Sequence, residues 1–193
     1  MKETKIPEEK GVLDYLIEMR DLTELIVDLA YSAVLLDDKE LAKDVREIEK
    51  KINRLKYEIQ LKTILSRLPP KEAEGMIAVL NLAEHTERIS DNARAIAEIV
   101  MKGMKRHPLL KEALTQGETG IYKEEVKKGA PIIGRKIGEL NLIEATGMRL
   151  IAIKKKDGWH YLPTEEQSIE EGDILLITGP SENKKLLEKL LRE

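Results

Sequence analysis

Apolar residues recur at intervals of three and four along the first hundred positions, which is the spacing of an amphipathic helix. Similar series run from Leu13 to Leu36 and from Val79 to Val100. Between them lies the most regular series, a heptad-like seam of Leu41, Val45, Ile48, Ile52, Leu55 and Ile59. The pattern predicts three long helices, joined by short turns into an antiparallel three-helix bundle.

Turn residues mark the ends of these helices. Pro7 suits a first helical turn, and Asp37-Asp38 breaks the first helix and offers an N-cap to the second. Leu68-Pro69-Pro70 ends the second helix, because proline lacks the backbone donor and restricts the residue before it. The third helix begins near Pro70. The sequence therefore predicts a helical domain over residues 7–106 and a linker over residues 107–117.

The remainder of the chain alternates short apolar runs with turn signals. A run from Leu150 to Ile153 precedes an Asp157-Gly158 turn and a returning strand from Trp159 to Leu162, which together predict a hairpin. A further buried strand is predicted from Ile174 to Thr178, and Ser181 is the predicted N-cap of a closing helix. The pattern indicates a small α+β domain, so the predicted fold class is a multi-domain α and α+β protein.

The order and spacing of these pieces resemble the TrkA-C (RCK-C) domain, the ligand-sensing module of potassium channels, transporters and antiporters. The shared pattern is an apolar strand ending in a basic residue, a hairpin, a proline and a Gly-Asp pair before the last strand. Here these are Leu150–Lys155, Asp157-Gly158, Pro163 and Gly172-Asp173. The resemblance implies a ligand-sensing or dimerising domain at residues 118–193.

Some TrkA-C domains bind cyclic di-AMP between two subunits, in the region that corresponds to Leu150–Pro163. The resemblance therefore implies a cyclic dinucleotide site at a dimer interface. In that site Lys154 and Lys155 would meet phosphate, while Ile151, Ile153 and Pro163 would line an apolar floor. Lysine meets phosphate as a point charge and lacks the bidentate fork of arginine. The alternative is that this hairpin is a core strand with a solvated lysine end and a dimer seam.

Two acidic motifs with the same spacing lie in the helical part. Glu24 and Asp28 are four residues apart, as are Glu87 and Asp91. This spacing puts both carboxylates of each motif on one helix face, one turn apart. Carboxylates on facing helices can hold a metal ion. The alternative is a solvated acidic flank that neighbouring arginines neutralise.

The stretch EHTERISDNARAIAEIV, from Glu84 to Val100, resembles a helix of PhoU, the phosphate-signalling regulator built from two three-helix bundles. In that family the Glu/Asp-x-x-x-Asp motifs bind multinuclear iron or zinc clusters. The resemblance therefore implies iron or zinc ligands here at Glu24, Asp28, Glu87 and Asp91. Only one bundle is present, so a full PhoU-like unit would require a second subunit.

Composition narrows the function classes. The net charge of −3 argues against a general nucleic-acid binder, and the lack of cysteine excludes disulfides and thiolate metal sites. Charged residues make up 36% of the chain, a composition typical of thermophilic proteins with surface ion-pair networks. No apolar run approaches the roughly eighteen residues of a membrane span, and the first residues lack a signal peptide. We therefore expect a cytoplasmic protein without direct membrane insertion.

These observations favour a regulatory protein over an enzyme, because no nucleophile–base pair or glycine-rich phosphate loop is evident. The expectation is a regulatory subunit that forms a homodimer or higher oligomer. Its C-terminal domain would bind a ligand, and this would change the geometry of the dimer. Its bundle would pass that change to a membrane cation transporter or channel on another chain, with potassium as the transported ion. The alternative is a PhoU-like metal-binding adaptor in transporter or phosphate signalling, in which the C-terminal domain only dimerises.

Overall fold

The computed structural model describes residues 10–104, 107–115 and 117–192, and its contacts divide the chain into two compact units at Met104. The N-terminal unit consists of three long helices, each of which packs against the other two. They are α1 (Val12–Leu36), α2 (Lys39–Leu65) and α3 (Pro70–Met101). The predicted three-helix bundle is confirmed, whereas the predicted start at Pro7 lies outside the described residues.

The seam predicted in α2 forms the centre of the bundle. Its six apolar residues are all buried, none being more than 8% exposed. The N-cap prediction for α2 is also confirmed, because the carboxylate of Asp38 accepts hydrogen bonds from the backbone N–H groups of Glu40 and Leu41. Asp37 ends α1 in the left-handed conformation, with a φ of 56°. Pro70 occupies the first turn of α3.

The C-terminal unit is a small α+β domain, as predicted. The elements in chain order are α4 (Pro108–Thr115), β1 (Thr119–Glu125), α5 (Leu142–Thr146), β2 (Arg149–Lys155), β3 (Gly158–Tyr161), β4 (Ile174–Pro180) and α6 (Lys184–Arg192). The four strands described here form one antiparallel sheet in the order β1-β4-β2-β3. Single 3-10 turns precede α5 and α6.

One face of the sheet carries the hydrophobic core of this unit. Ile153 of β2 and Leu175 and Ile177 of β4 pack there against Leu187 and Leu191 of α6. The two leucines of α6 are four residues apart, so they lie on one face of the helix.

Three details of the C-terminal unit differ from the sequence analysis. Lys155 pairs with Gly158, so the hairpin turn consists of residues 156–157 and lies one residue before the predicted position. Ser181 is not an N-cap, because its hydroxyl donates to the carbonyl of Gly117 at 3.0 Å and a 3-10 turn separates it from α6. The sequence analysis missed β1, which contains Lys123, Glu124 and Glu125 and lacks a strong apolar run.

Across the three described ranges, none of the helices combines the length and the hydrophobicity that crossing a membrane requires.

Candidate functional site

The β2–β3 hairpin places polar and aromatic side chains on the sheet face opposite the core. Ile153 packs into the core, and side chains alternate along a strand, so Ala152 and Lys154 lie on the other face. Across the hairpin, Trp159 pairs with Lys154 and Tyr161 pairs with Ala152. We call Lys154, Trp159 and Tyr161 the hairpin face.

Lys154 and Trp159 contact each other directly within this face. The ammonium nitrogen of Lys154 lies 5.6 Å from the centroid of the Trp159 ring, which is a cation–π distance. The indole Nε1 of Trp159 is buried, and among the described residues it is the buried side-chain polar atom without a hydrogen-bond partner. An unsatisfied buried donor costs about 1–3 kcal/mol. A rearrangement that brings a hydrogen-bond acceptor to Nε1 of Trp159 would therefore stabilise the hairpin face.

Lys155 points to a different partner. Its Nζ lies 2.9 Å from Oδ2 of Asp173 and 3.4 Å from Oε1 of Glu170, in the turn before β4. Burial lowers the pKa of Lys155, but the hydrogen bond and charge of Asp173, aided by Glu170, outweigh it, so the net pKa is raised. Lys155 is therefore charged, and in this conformation its ammonium group holds the turn.

The predicted apolar residues do not share one surface in a single chain. Ile151 and Ile153 are completely buried, whereas Pro163 is half-buried. The residue before the proline, Leu162, is 41% exposed and has a φ of 47°. A left-handed conformation is a genuine outlier for a bulky residue. The sequence predicts Leu162 as the last residue of the returning strand, whereas β3 ends at Tyr161 and Leu162 follows it in this left-handed conformation.

A concave site that the sequence analysis does not predict lies at the β1 edge of the sheet. It is a pocket of about 260 Å³ whose floor includes Val126 and Ile132. Its rim includes Lys127, Lys128 and Arg192, and Arg192 contacts Glu124, which also lines the pocket, at 3.4 Å. The Lys-Lys-Gly sequence was the signal available for this rim.

In the bundle, the predicted metal ligand Glu87 contacts a lysine. Nζ of Lys56 on α2 lies 3.1 Å from Oε1 of Glu87 and 3.1 Å from Oε2 of Glu84, both on α3. Burial lowers the pKa of Lys56. Hydrogen bonds to the two carboxylates, together with their charge, raise this pKa by more than burial lowers it, so the net shift is upward. Lys56 therefore supplies positive charge beside Glu87.

The second predicted ligand on α3, Asp91, lies beside Glu49 of α2. Burial is the main cause that raises the pKa of Glu49. Arg94 opposes this, while the charge of Asp91 and a hydrogen bond to it raise the pKa further. The Asn53 amide donates to Glu49 at 2.7 Å. The pair thus brings two carboxyl groups together, one of which gains from holding a proton.

The α1 motif occupies a different environment. Glu24 is exposed and lines an apolar groove between α1 and α3, while Asp28 is half-buried. Within the ranges that the structure describes, no three Asp, Glu, His or Cys side chains are arranged to hold a metal ion. The described residues of one chain therefore offer no ready-made ligand set in this conformation, and iron or zinc at the four acidic residues stays a prediction.

Each of the two units matches a known family model. Residues 16–100 match the PhoU domain, and residues 121–192 match the TrkA-C domain. The chain is 35% identical over 104 residues to the K(+)/H(+) antiporter subunit KhtT of Bacillus subtilis, a match that covers 52% of this chain and 61% of the relative. It is 27% identical over 122 residues to a PhoU homolog, a phosphate-specific transport system accessory protein of Archaeoglobus fulgidus, covering 58% and 62%.

The chain thus matches about three fifths of the length of each of these curated relatives. Among solved structures, it is similar to the RCK_C domain dimer of S. agalactiae BusR in complex with c-di-AMP. That similarity has 26% identity and a TM-score of 0.34, and it covers 36% of this chain and 92% of the other.

Proposed function

Because the chain joins a PhoU domain to a TrkA-C domain, we propose that it is a regulatory protein for a membrane potassium transporter carried on another chain. Two copies pair through their TrkA-C domains, and a cyclic dinucleotide binds between them. The ligand changes the geometry of the pair, and the PhoU domain passes this change to the transporter. The similarity to a K(+)/H(+) antiporter subunit supports the choice of potassium. Both families are regulatory, so we propose no catalytic role.

The observation that carries the ligand proposal is the contact between Lys154 and Trp159. A purine base can stack on the indole ring, and base–aromatic stacking contributes about 1–3 kcal/mol. Stacking requires Lys154 to leave the ring, and its ammonium group then reaches the phosphate of the same ligand. Nε1 of Trp159 has no hydrogen-bond partner, so a ligand that places an acceptor beside it gains a further hydrogen bond.

The symmetry of the ligand supports a site between two copies. Cyclic di-AMP has two phosphates and two adenines related by a two-fold axis, and a two-fold dimer presents two identical hairpin faces. Each face contributes one Lys154 and one Trp159. The ligand shifts the dimer only if it binds one arrangement more tightly than the other. The left-handed Leu162 beside this face is a backbone outlier of the kind that clusters at ligand clamps.

The structure changes the choice of variants that test this site. Lys155 holds Asp173, so replacing it would disturb the fold as well as any ligand contact. Lys154→Ala removes the proposed phosphate contact together with the cation–π contact to Trp159, and it leaves the pair of Lys155 and Asp173 in place. Lys156→Ala is the matched control, because Lys156 is an exposed lysine in the adjacent turn.

Cyclic di-AMP should be titrated into the full chain by calorimetry and by fluorescence. Trp159 is the only tryptophan of the chain, so the emission reports on this site alone. We expect one ligand per two chains, a change in emission, and at least about tenfold weaker binding for Lys154→Ala. Lys156→Ala should bind like the unaltered protein. No heat and no change in emission at high ligand concentration would contradict the ligand proposal.

The transporter proposal requires a separate measurement. Everted membrane vesicles that contain the membrane subunit of a potassium/proton antiporter should be assayed for potassium-driven proton movement, with and without the protein. We expect the protein to change the rate and cyclic di-AMP to modify that change. A rate that is independent of the protein, in vesicles shown to bind it, would contradict the regulatory role even if the ligand binds.

A further inference from the structure

One end of the helical bundle is apolar and exposed. We call it the apolar end: the part of α1 before Met19, the part of α2 after Ile59, and the part of α3 before Ala83. No residue in these three segments is buried. Around it, eight large hydrophobic side chains are 37–75% exposed, namely Leu13, Ile17, Tyr57, Leu61, Ile64, Leu65, Ile77 and Leu82.

The exposed apolar side chains leave the ends of all three helices without tertiary packing. Amphipathic helices in proteins gain most of their stability from tertiary packing of the apolar face. The first thirteen residues of α3, Pro70–Leu82, bury no side chain and include Gly75, which weakens a helix by about 1 kcal/mol relative to alanine. Soluble monomers rarely expose contiguous apolar patches of more than a few hundred Å². Another surface must therefore cover this end.

The shape of the apolar end suits an inserted helix or ridge. Ile17 and Leu82 also line the groove between α1 and α3, which has a volume of about 410 Å³. Its walls include Leu16 and Ile89, and Ile89 is 47% exposed. The exposed patch is thus continuous with a groove of the kind into which the side-chain ridges of a packed helix fit.

The charges around the apolar end indicate which kind of partner it can bind. Lys62 lies in the last turn of α2, and Arg67 and Lys71 lie at or beside the α2–α3 turn. Asp14 and Glu72 lie in the first turns of α1 and α3, and Glu74 follows directly after the first turn of α3. The remaining acid of these segments, Glu18, is paired with Lys10 and Lys51. With Glu18 and its two partners included, five basic and four acidic groups surround this end, so the charges of the two signs are nearly balanced.

This balance fits a second copy of the same surface. In a two-fold contact each residue of a patch meets residues of the same patch on the partner, so a patch of one sign repels itself. A balanced patch can instead pair its basic turn with the acidic first turns of its partner. An anionic lipid surface or a nucleic acid would instead require an excess of basic residues. We propose that the apolar end docks against the apolar end of a second copy, independently of any ligand at the TrkA-C domain.

Single cysteines can test this contact, because the chain contains none. Leu65→Cys, Ile77→Cys and Leu82→Cys place a thiol on the apolar end, and Lys43→Cys places an exposed thiol near the start of α2 as the control. Full-length variants are treated with a short bis-maleimide reagent and run on denaturing gels. We expect covalent dimers from at least one of the three variants and none from the control. If all four variants remain monomeric on the gel, the proposal is wrong, whatever else covers this end.

A second measurement separates this contact from dimerisation by the TrkA-C domain. The double variant Ile77→Glu/Leu82→Glu changes two side chains that are each 58% exposed, so a lone chain tolerates both. We expect the melting temperature of its bundle to fall by several degrees and to lose its dependence on protein concentration. An unchanged melting temperature at every concentration would overturn the proposal.

Discussion

Lys155 and Asp173 form a buried ion pair that ties the end of β2 to the turn before β4. The two charged atoms are 2.9 Å apart, and the side chains are only 16% and 6% exposed. The same carboxylate oxygen of Asp173 also accepts the backbone N–H of Glu170 at 2.8 Å. Two features of the TrkA-C pattern, the basic residue that ends a strand and the Gly-Asp pair, are thus two halves of one contact.

We predict that Lys155→Met destabilises the C-terminal unit by about 3 kcal/mol, because it leaves the buried carboxylate of Asp173 without its cation. Chemical denaturation followed by Trp159 fluorescence measures this unit. The double variant Lys155→Met/Asp173→Asn should cost less than the two single changes together, since each removes the same interaction. Lys156→Met is the control and should change the free energy of unfolding by less than about 0.5 kcal/mol. Additive effects would show that the pair is not coupled.

The Lys56 contact with Glu84 and Glu87 yields a parallel prediction for the bundle. Lys56 is 20% exposed and Glu87 is 14% exposed, so this pair is partly shielded from water. We expect Lys56→Met to destabilise the bundle by about 1–2 kcal/mol, between the values for exposed and buried pairs. Lys51→Met is the matched control, because Lys51 also bridges helices, to Glu18, but is 53% exposed. The free energy of unfolding of each variant is measured by denaturation followed by circular dichroism at 222 nm. An equal loss of this free energy in the two variants would contradict the ranking.

The parts of the fold that could be predicted are those with a local cause. The α2 seam repeats every seven residues and is buried as expected, and Asp38 caps the helix that follows it. The apolar series of α1 and α3 predicts burial equally for Leu13 and Leu82, yet these are 68% and 58% exposed. Periodicity identifies the apolar face of a helix, but it does not say whether the same chain covers that face.

The site residues were harder to predict because their roles depend on contacts far apart in sequence. Lys154 and Lys155 are adjacent and chemically identical. One lies over Trp159 and the other binds a carboxylate eighteen positions away. Strand alternation separates them onto different faces, but the partner that each face offers is fixed only by the fold. Lys56 was likewise missed, because nothing in the α2 pattern indicates that it meets Glu87.

A close approach between β4 and the start of β2 provides a further test. A Cβ atom added at Gly179 would lie 2.7 Å from the Cα of Met148, whose side chain is fully buried. Backbone must move to relieve this clash, so we predict that Gly179→Ala destabilises the C-terminal unit by about 2 kcal/mol. Gly75→Ala is the contrasting variant, because a Cβ at this helical position meets nothing within 4 Å. It should stabilise the bundle by about 0.5–1 kcal/mol. If Gly179→Ala leaves the free energy of unfolding unchanged, the two strands separate readily at this point.

Glu49 should make the bundle less stable as the pH rises. Burial, with the charge and hydrogen bond of Asp91, raises the pKa of Glu49 above its ordinary value of 4.5. At a pH between 4.5 and this raised pKa, the folded chain holds a proton on Glu49 that the unfolded chain has lost. The free energy of unfolding therefore falls as the pH rises through this range. The pKa values of Glu18, Glu84 and Glu98 are lowered, so their stabilising contributions are already complete above 4.5.

Glu49→Gln isolates this effect, because glutamine retains the shape and the hydrogen-bonding capacity toward Asn53 and Asp91 but does not titrate. Chemical denaturation at a series of pH values above 4.5, followed by circular dichroism, gives the slope for each protein. We expect the unaltered protein to lose stability across the window in which Glu49 titrates and the variant to lose less. Glu47→Gln is the control, since Glu47 is an exposed acid on the same helix, and it should preserve the slope. If Glu49→Gln and Glu47→Gln have the same slope as the unaltered protein, the pair of Glu49 and Asp91 does not hold a proton in the folded bundle.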